Sequence, residues 1–390
     1  MIAGSRAASH DPGQAPGPIV QHTRALSWPG AALLPVAPTG YSGAMIKIDM
    51  FNHIFPARFY REMLTRVPNG QDMQKRVRGV PMLADLDERF RVMDRFGADY
   101  RQVLSLASPP LEIMFGANGA VEMAQIANDG MAELVRRHPD RFPAFTASLP
   151  MNDPDAALVE THRAIKQLGA RGIQIFTNVN GHALDEPQYA PLFEAMAQYD
   201  LPIWVHPARG AEFPDYRAEK KSKFEIWWTF GWPYETSVFM ARMVFSGLFD
   251  RLPDLKFITH HMGGMVPFFE GRVGPGWDQL GKRTTDEDYE AVLKGLKRRP
   301  ADYFKLFYAD TAVFGSAAAT RCGLEFFGVD KVVFASDAPF DPEKGPMYIR
   351  ETIKILDALE VTEDARDRIF RRNAERLMKL DGAPSAIARH

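Results

Sequence analysis

A single cysteine, Cys322, is all that the 390 residues contain. That excludes an intramolecular disulfide and a cysteine-ligated zinc cluster, and fits a reducing compartment such as the cytoplasm. An excess of one charge is also missing: 47 Lys and Arg against 49 Asp and Glu give a formal net charge of −2. With no electrostatic drive toward nucleic acid or an anionic bilayer, neither is expected as a partner. No apolar run approaches the roughly 20 residues needed to cross a membrane. What is present, 46% hydrophobic and 25% charged residues, describes an ordinary globular protein with one large domain or two medium ones.

Residues 1–44 are rich in Ala, Gly and Pro and have no apolar period. Pro and Gly interrupt ALSWPGAALLPVAP, so it lacks the continuous apolar core of a secretory signal. A disordered extension is expected there, with the folded domain spanning 45–380 and a short tail at 381–390. From Met45 onward, β-branched and aromatic runs alternate with segments of helical period. The runs are IKIDMFNH (46–53), YRQVLSLA (100–107), RFPAFTASL (141–149), RGIQIFT (171–177), LPIWVHP (201–207), DLKFITHH (254–261), YFKLFYAD (303–310) and KVVFASD (331–337). Several are almost continuously apolar, as parallel strands buried on both faces require. Between them, Pro154 to Leu168 reads as a helix capped by Asp153 and stopped by Gly169. Eight such units predict an α/β fold, the (β/α)8 TIM barrel. A doubly wound sheet is the rival, but no Gly-rich dinucleotide loop follows the first strand.

Barrel chemistry sits at the C-terminal ends of strands. Four runs end in a metal ligand or base: His53, His206, the pair His260–His261, and Asp337; Asp310 closes a fifth. One histidine at a strand end is more often structural than functional. Four such positions together are what a metal site requires, since imidazole and carboxylate suit zinc or manganese.

IDMFNHIFP, PIWVHP, DLKFITHHMGG and VVFASDAPF, in that order, resemble the amidohydrolase superfamily. More narrowly, they resemble the branch of amino-carboxymuconate-semialdehyde decarboxylase and the aromatic-acid decarboxylases. The resemblance covers nearly everything from Met45 to about Leu380. It implies a divalent metal, zinc first and manganese second, held by His53, His206 and Asp337. It implies His261, which precedes x-Gly-Gly, as general base, with Asp337 also moving protons, and it leaves His260 as packing on the other strand face. Arg272 and Arg78 match arginines that bind substrate carboxylates, Arg272 from the neighbouring subunit of a homodimer. Phe51 departs from the family, which usually has histidine there. Alternation would put Asp49, Phe51 and His53 on one face, with Asp49 about 13 Å of strand below His53.

The loop from Pro207 to Pro233 carries Trp227, Trp228, Phe230 and Trp232 as candidate walls for a flat substrate. The turn SPPLEIMFG is a second candidate wall. Arg209, three residues beyond His206, is placed to meet a carboxylate. The expected reaction is non-oxidative decarboxylation of an aromatic or unsaturated carboxylic acid. The alternative is metal-assisted hydrolysis or hydration of a lactone, ester or conjugated acid at the same site.

Overall fold

Parallel hydrogen bonding carries the eight runs into a ring. The computed structural model describes residues 45–380; the expected extension 1–44 and tail 381–390 lie outside the described residues. The strands are β1 (Lys47–Ile54), β2 (Tyr100–Leu106), β3 (Ala147–Ser148), β4 (Ile173–Phe176), β5 (Ile203–His206), β6 (Phe257–Thr259), β7 (Tyr308–Asp310) and β8 (Val332–Val333). A small antiparallel hairpin, Asn178–Val179 against His182–Ala183, decorates the loop after β4. One ladder joins β1 to β2, and a six-stranded parallel sheet runs β8-β7-β6-β5-β4-β3. Two seams complete the circuit. Leu104 bridges Phe145 between β2 and β3, and Asn52 bridges Ala338 between β1 and the end of the eighth run. At the second seam Met50 N donates to Phe334 O (2.9 Å), His53 N to Ala338 O (2.8 Å) and Asp337 N to Phe51 O (2.9 Å). This is the (β/α)8 barrel.

Several strands are shorter than their apolar runs, for identifiable reasons. Pro143 lacks an N–H inside the third run, and only Ala147–Ser148 pair as a ladder. The first two residues of YFKLFYAD, Tyr303 and Phe304, belong to the helix Pro300–Phe304, which opens on its proline, and Lys305 to Phe307 turn before β7 begins. In the eighth run Phe334 N turns to Ile369 O, and Ser336 N to the Asp49 carboxylate. The expected helix after Asp153 spans Pro154–Lys166, and its cap accepts from Ala156 N at 3.0 Å.

Side chains fill the barrel interior. Ile48, Met50, Phe51, Val103, Ala144, Trp204, Ile258 and Val333 pack into one buried cluster. Trp204 anchors it by donating Nε1–H to Met50 O at 2.9 Å. A larger apolar layer, including Phe59, Met123, Phe193, Phe239 and Phe257, lies between strands and helices. Burial of this kind stabilises by about 25 cal/mol per Å².

Candidate metal centre

Side chains from β1, β5, the end of β6 and the end of the eighth run meet at one point. The ligand atoms of His53, His206, His260 and Asp337 all lie within 4.8 Å of one another, and all four residues are buried. Asp337 is the hub. Its Oδ1 is 2.9 Å from His53 Nε2 and 3.1 Å from His260 Nε2, and its Oδ2 is 3.7 Å from His261 Nε2. The structure therefore brings His53, His206 and Asp337 together and places His261 beside them, half-buried and facing a cavity.

His260 is the correction. Strand alternation points it away from the site, but β6 ends at Thr259 and alternation ends with it. The next residues turn sharply: His261 has φ 54°, Met262 φ 53°, Gly263 φ 76° and Gly264 φ 63°. Both imidazoles swing inward, with ring centroids 3.8 Å apart. Gly264 is required here, since a Cβ would meet Pro233 O at 2.4 Å. Asp310, the carboxylate that closes the seventh run, holds His260 in this orientation by accepting from its Nδ1. The other Asp310 oxygen accepts from His261 N and Ala312 N, each at 3.0 Å.

The imidazoles of His53, His206 and His260 each have a partner at the remote nitrogen. His206 Nδ1 faces Pro207 O at 2.7 Å, so it must carry the proton and leave Nε2 as a lone pair. His53 Nδ1 lies 3.4 Å from Ser105 Oγ. Such outer partners fix the tautomer and orientation of metal-binding histidines. Burial, with the charges of His260 and His53, holds His206 well below the usual histidine range and so neutral. Burial opposes protonation of His260 as well, but Asp310 and Asp337 outweigh it and bring the imidazole up to about 9. Burial also opposes ionisation of Asp337, yet the neighbouring histidines hold its carboxyl well below the usual range. The donor set fits a divalent ion: bonds of about 2.0–2.1 Å put neighbouring tetrahedral donors about 3.4 Å apart, within the observed spread.

Phe51 forms the floor. Its ring is buried, with its centroid 3.9 Å from that of His260, 4.9 Å from His53 and 5.9 Å from His206. The β1 register shifts between Asp49 and Asn52, so simple alternation fails here as well. Asp49 turns instead to Tyr100 and Ser336, and burial pushes its carboxyl up to about 6 against the hydrogen bonds it accepts.

Above the donors opens a cavity of about 740 Å³. His206, His261 and Asp337 line its inner end, Trp227, Trp228, Trp232 and Phe314 its walls, and Lys75 and Arg76 its exposed rim. Ser108 contributes from the SPPLEIMFG segment, which is helical from Leu111. Arg78 and Arg209 are absent from this cavity's lining, and Arg272 is expected at the partner's cavity rather than its own. Arg78 donates to Pro68 O (2.6 Å) and to Val67 O, closing the end of helix Ala57–Arg66; Arg76, two residues earlier, takes the place at the cavity. Arg209 pairs with Glu235 at 2.7 Å and lies over the Phe213 ring. Arg272 is exposed on helix Glu270–Trp277, outside its own chain's cavity lining.

Comparison with known proteins agrees with this geometry. Residues 48–380 match the family model described as Amidohydrolase. Gamma-resorcylate decarboxylase of Rhizobium sp. (strain MTP-10005) is 34% identical over 311 residues, covering 76% of this chain and 88% of the relative. The 2-amino-3-carboxymuconate-6-semialdehyde decarboxylase of Dictyostelium discoideum is 32% identical over 302 residues, covering 76% and 77%. Among solved structures, the dihydroxybenzoic acid decarboxylase of Polaromonas sp. JS666, with bound manganese and the inhibitor 2-nitroresorcinol, superposes with TM-score 0.71 at 28% identity. That match covers 88% of this chain and all of the other.

Proposed function

The chain belongs to the amidohydrolase family, and from that premise we propose that it is a metal-dependent carboxy-lyase, removing carbon dioxide without oxidation from an aromatic or unsaturated carboxylic acid. The observation that carries this reading is the His53–His206–His260–Asp337 cluster at the inner end of an aromatic-walled cavity, with His261 beside it. His53, His206, His260 and Asp337 would hold a divalent ion, which would supply positive charge against the negative charge that develops in the transition state. Trp227, Trp228 and Phe314 hold a flat conjugated ring. Arg76 and Lys75 meet an anionic substrate at the rim. Burial holds His261 below the usual range, so it is neutral at pH 7 and can take up a proton from water in the cavity. Delivery of that water-derived proton to the ring carbon, through His261 or relayed by Asp337, lets the bond to the carboxyl carbon break. Its electron pair returns to the ring, and carbon dioxide leaves.

Zinc is our first assignment for the ion, on three imidazoles and one carboxylate; manganese, the metal of the Polaromonas relative, is the second. We assign the protein to a reducing cytoplasm on its single cysteine. We also propose a homodimer. Phe230, Tyr234 and Phe268 are exposed large aromatics, and Arg272, near Phe268 in sequence, would serve the partner's cavity. Mixing Arg272→Ala with His261→Ala subunits should restore partial activity; absence of rescue removes Arg272 from the site. For the reaction, carbon dioxide release is measured against water addition on aromatic acids and lactones. Release should vanish on chelation and return with zinc or manganese. Full turnover by metal-stripped protein, or water addition alone, would overturn this reading.

A further inference from the structure

Beneath the metal centre lies a buried polar chain that the reaction itself does not use. Arg89, on helix Leu86–Asp94, is fully buried, and its guanidinium meets no carboxylate among the described residues. Nη1 donates to Asn52 Oδ1 at 3.0 Å and Gln102 Oε1 at 2.7 Å; Nη2 donates to Met82 O at 3.2 Å and to His53 O. The chain continues from Gln102 Nε2 to Tyr100 Oη at 3.0 Å, and from Tyr100 O–H to Asp49 Oδ2 at 2.5 Å. Asp49 accepts from both Ser336 N, at 3.0 Å, and Ser336 Oγ; Ser336 Oγ accepts from Ala338 N at 3.1 Å. Ser336 and Ala338 flank Asp337.

A guanidinium buried without a paired anion is expensive, and apolar residues of similar volume usually serve stability better. Its placement suggests why it is kept. The register shift in β1 interrupts the ladder just before His53, and Arg89 grips the backbone and side chain on the far side of that interruption. Through Gln102, Tyr100 and Asp49 the same chain reaches the turn that carries Asp337. The two residues so linked are 284 positions apart in sequence, and their side chains meet at 2.9 Å.

We propose that Arg89 is a positioning residue for the metal centre, setting the backbone of His53 directly and that of Asp337 through Gln102, Tyr100, Asp49 and Ser336. This rests on the metal-centre reading above and is independent of which reaction the centre performs. Outer partners of metal ligands characteristically change metal affinity by ten- to a hundredfold when removed. The test is zinc affinity, by competition with a chromogenic chelator, on wild-type, Arg89→Ala, Arg89→Lys and Tyr100→Phe proteins, with circular dichroism recorded on each. Arg89→Ala is expected to bind zinc about ten- to a hundredfold more weakly. Arg89→Lys should fall between it and wild type, and millimolar guanidinium ion should partly restore Arg89→Ala. A folded Arg89→Ala with wild-type zinc affinity overturns the inference, whatever its melting temperature. If the Arg89 variants do not fold, Tyr100→Phe decides: weaker zinc binding supports the inference and unchanged binding overturns it. Failure of wild type to bind zinc or manganese at all is a separate result, and removes the metal centre itself.

Discussion

Replacing Glu112 by glutamine should stabilise the protein at pH 8 and leave it unchanged near pH 4. Glu112 sits in the first turn of helix Leu111–Arg137, only 5% exposed, and its Oε1 has no hydrogen-bond partner among the described residues. Burial therefore pushes its carboxyl from 4.5 up to about 7. A folded-state value above the unfolded one means that the fold prefers the proton. Its contribution is complete below about pH 4.5 and is lost as pH rises through about 7. At about 1.4 kcal/mol per tenfold change, that gap corresponds to about 3 kcal/mol of burial penalty at pH 8. Glutamine keeps the shape without the charge, so the penalty disappears. For a domain of this size about 3 kcal/mol corresponds to a midpoint shift of about 4 °C. Thermal midpoints of both proteins, recorded from pH 4 to 8, provide the assay, and groups common to the two cancel in the difference. A difference that stays flat, or shrinks as pH rises, refutes the reasoning.

The remaining predictions concern the site. Phe51→Ala should destabilise by about 3–5 kcal/mol, the range for deleting a buried ring, read by urea denaturation. His260→Ala should lose bound metal on elemental analysis. His261→Ala should retain metal while kcat falls about 10²- to 10⁴-fold, as for a lost general acid–base group; the reverse pattern would exchange their roles. Arg76→Ala should raise KM for a carboxylate substrate at least about tenfold, by loss of a charge-assisted contact of about 1.5 kcal/mol. Arg78→Ala should leave KM unchanged, because that guanidinium serves the Val67 and Pro68 carbonyls.

Eight strands and their order were legible in the sequence because parallel, doubly buried strands leave apolar runs and glycine stops such as Gly169 mark the returns. His53, His206 and Asp337 were legible for the same reason: each follows directly on such a run. What alternation could not convey lies where strands stop being regular. His260 joins the cluster only because the backbone turns left-handed immediately after it, and Asp49 leaves the Phe51 face only because β1 shifts register. Arg76 and Arg78 were indistinguishable in RVRG, since helical geometry between neighbours decides which side chain reaches the cavity. Arg89 gave no warning at all. In sequence it is one charge on an amphipathic helix, and only the fold shows it facing inward.

The benzene ring beneath the imidazoles closes the donor cluster on one side. Ile48, Met50, Phe51 and Trp204 pack as one buried apolar cluster there, while His206, His261 and Asp337 line the cavity on the other side. The face on which the donors meet solvent is therefore the face that would receive the substrate, and a seated acid would screen them from water.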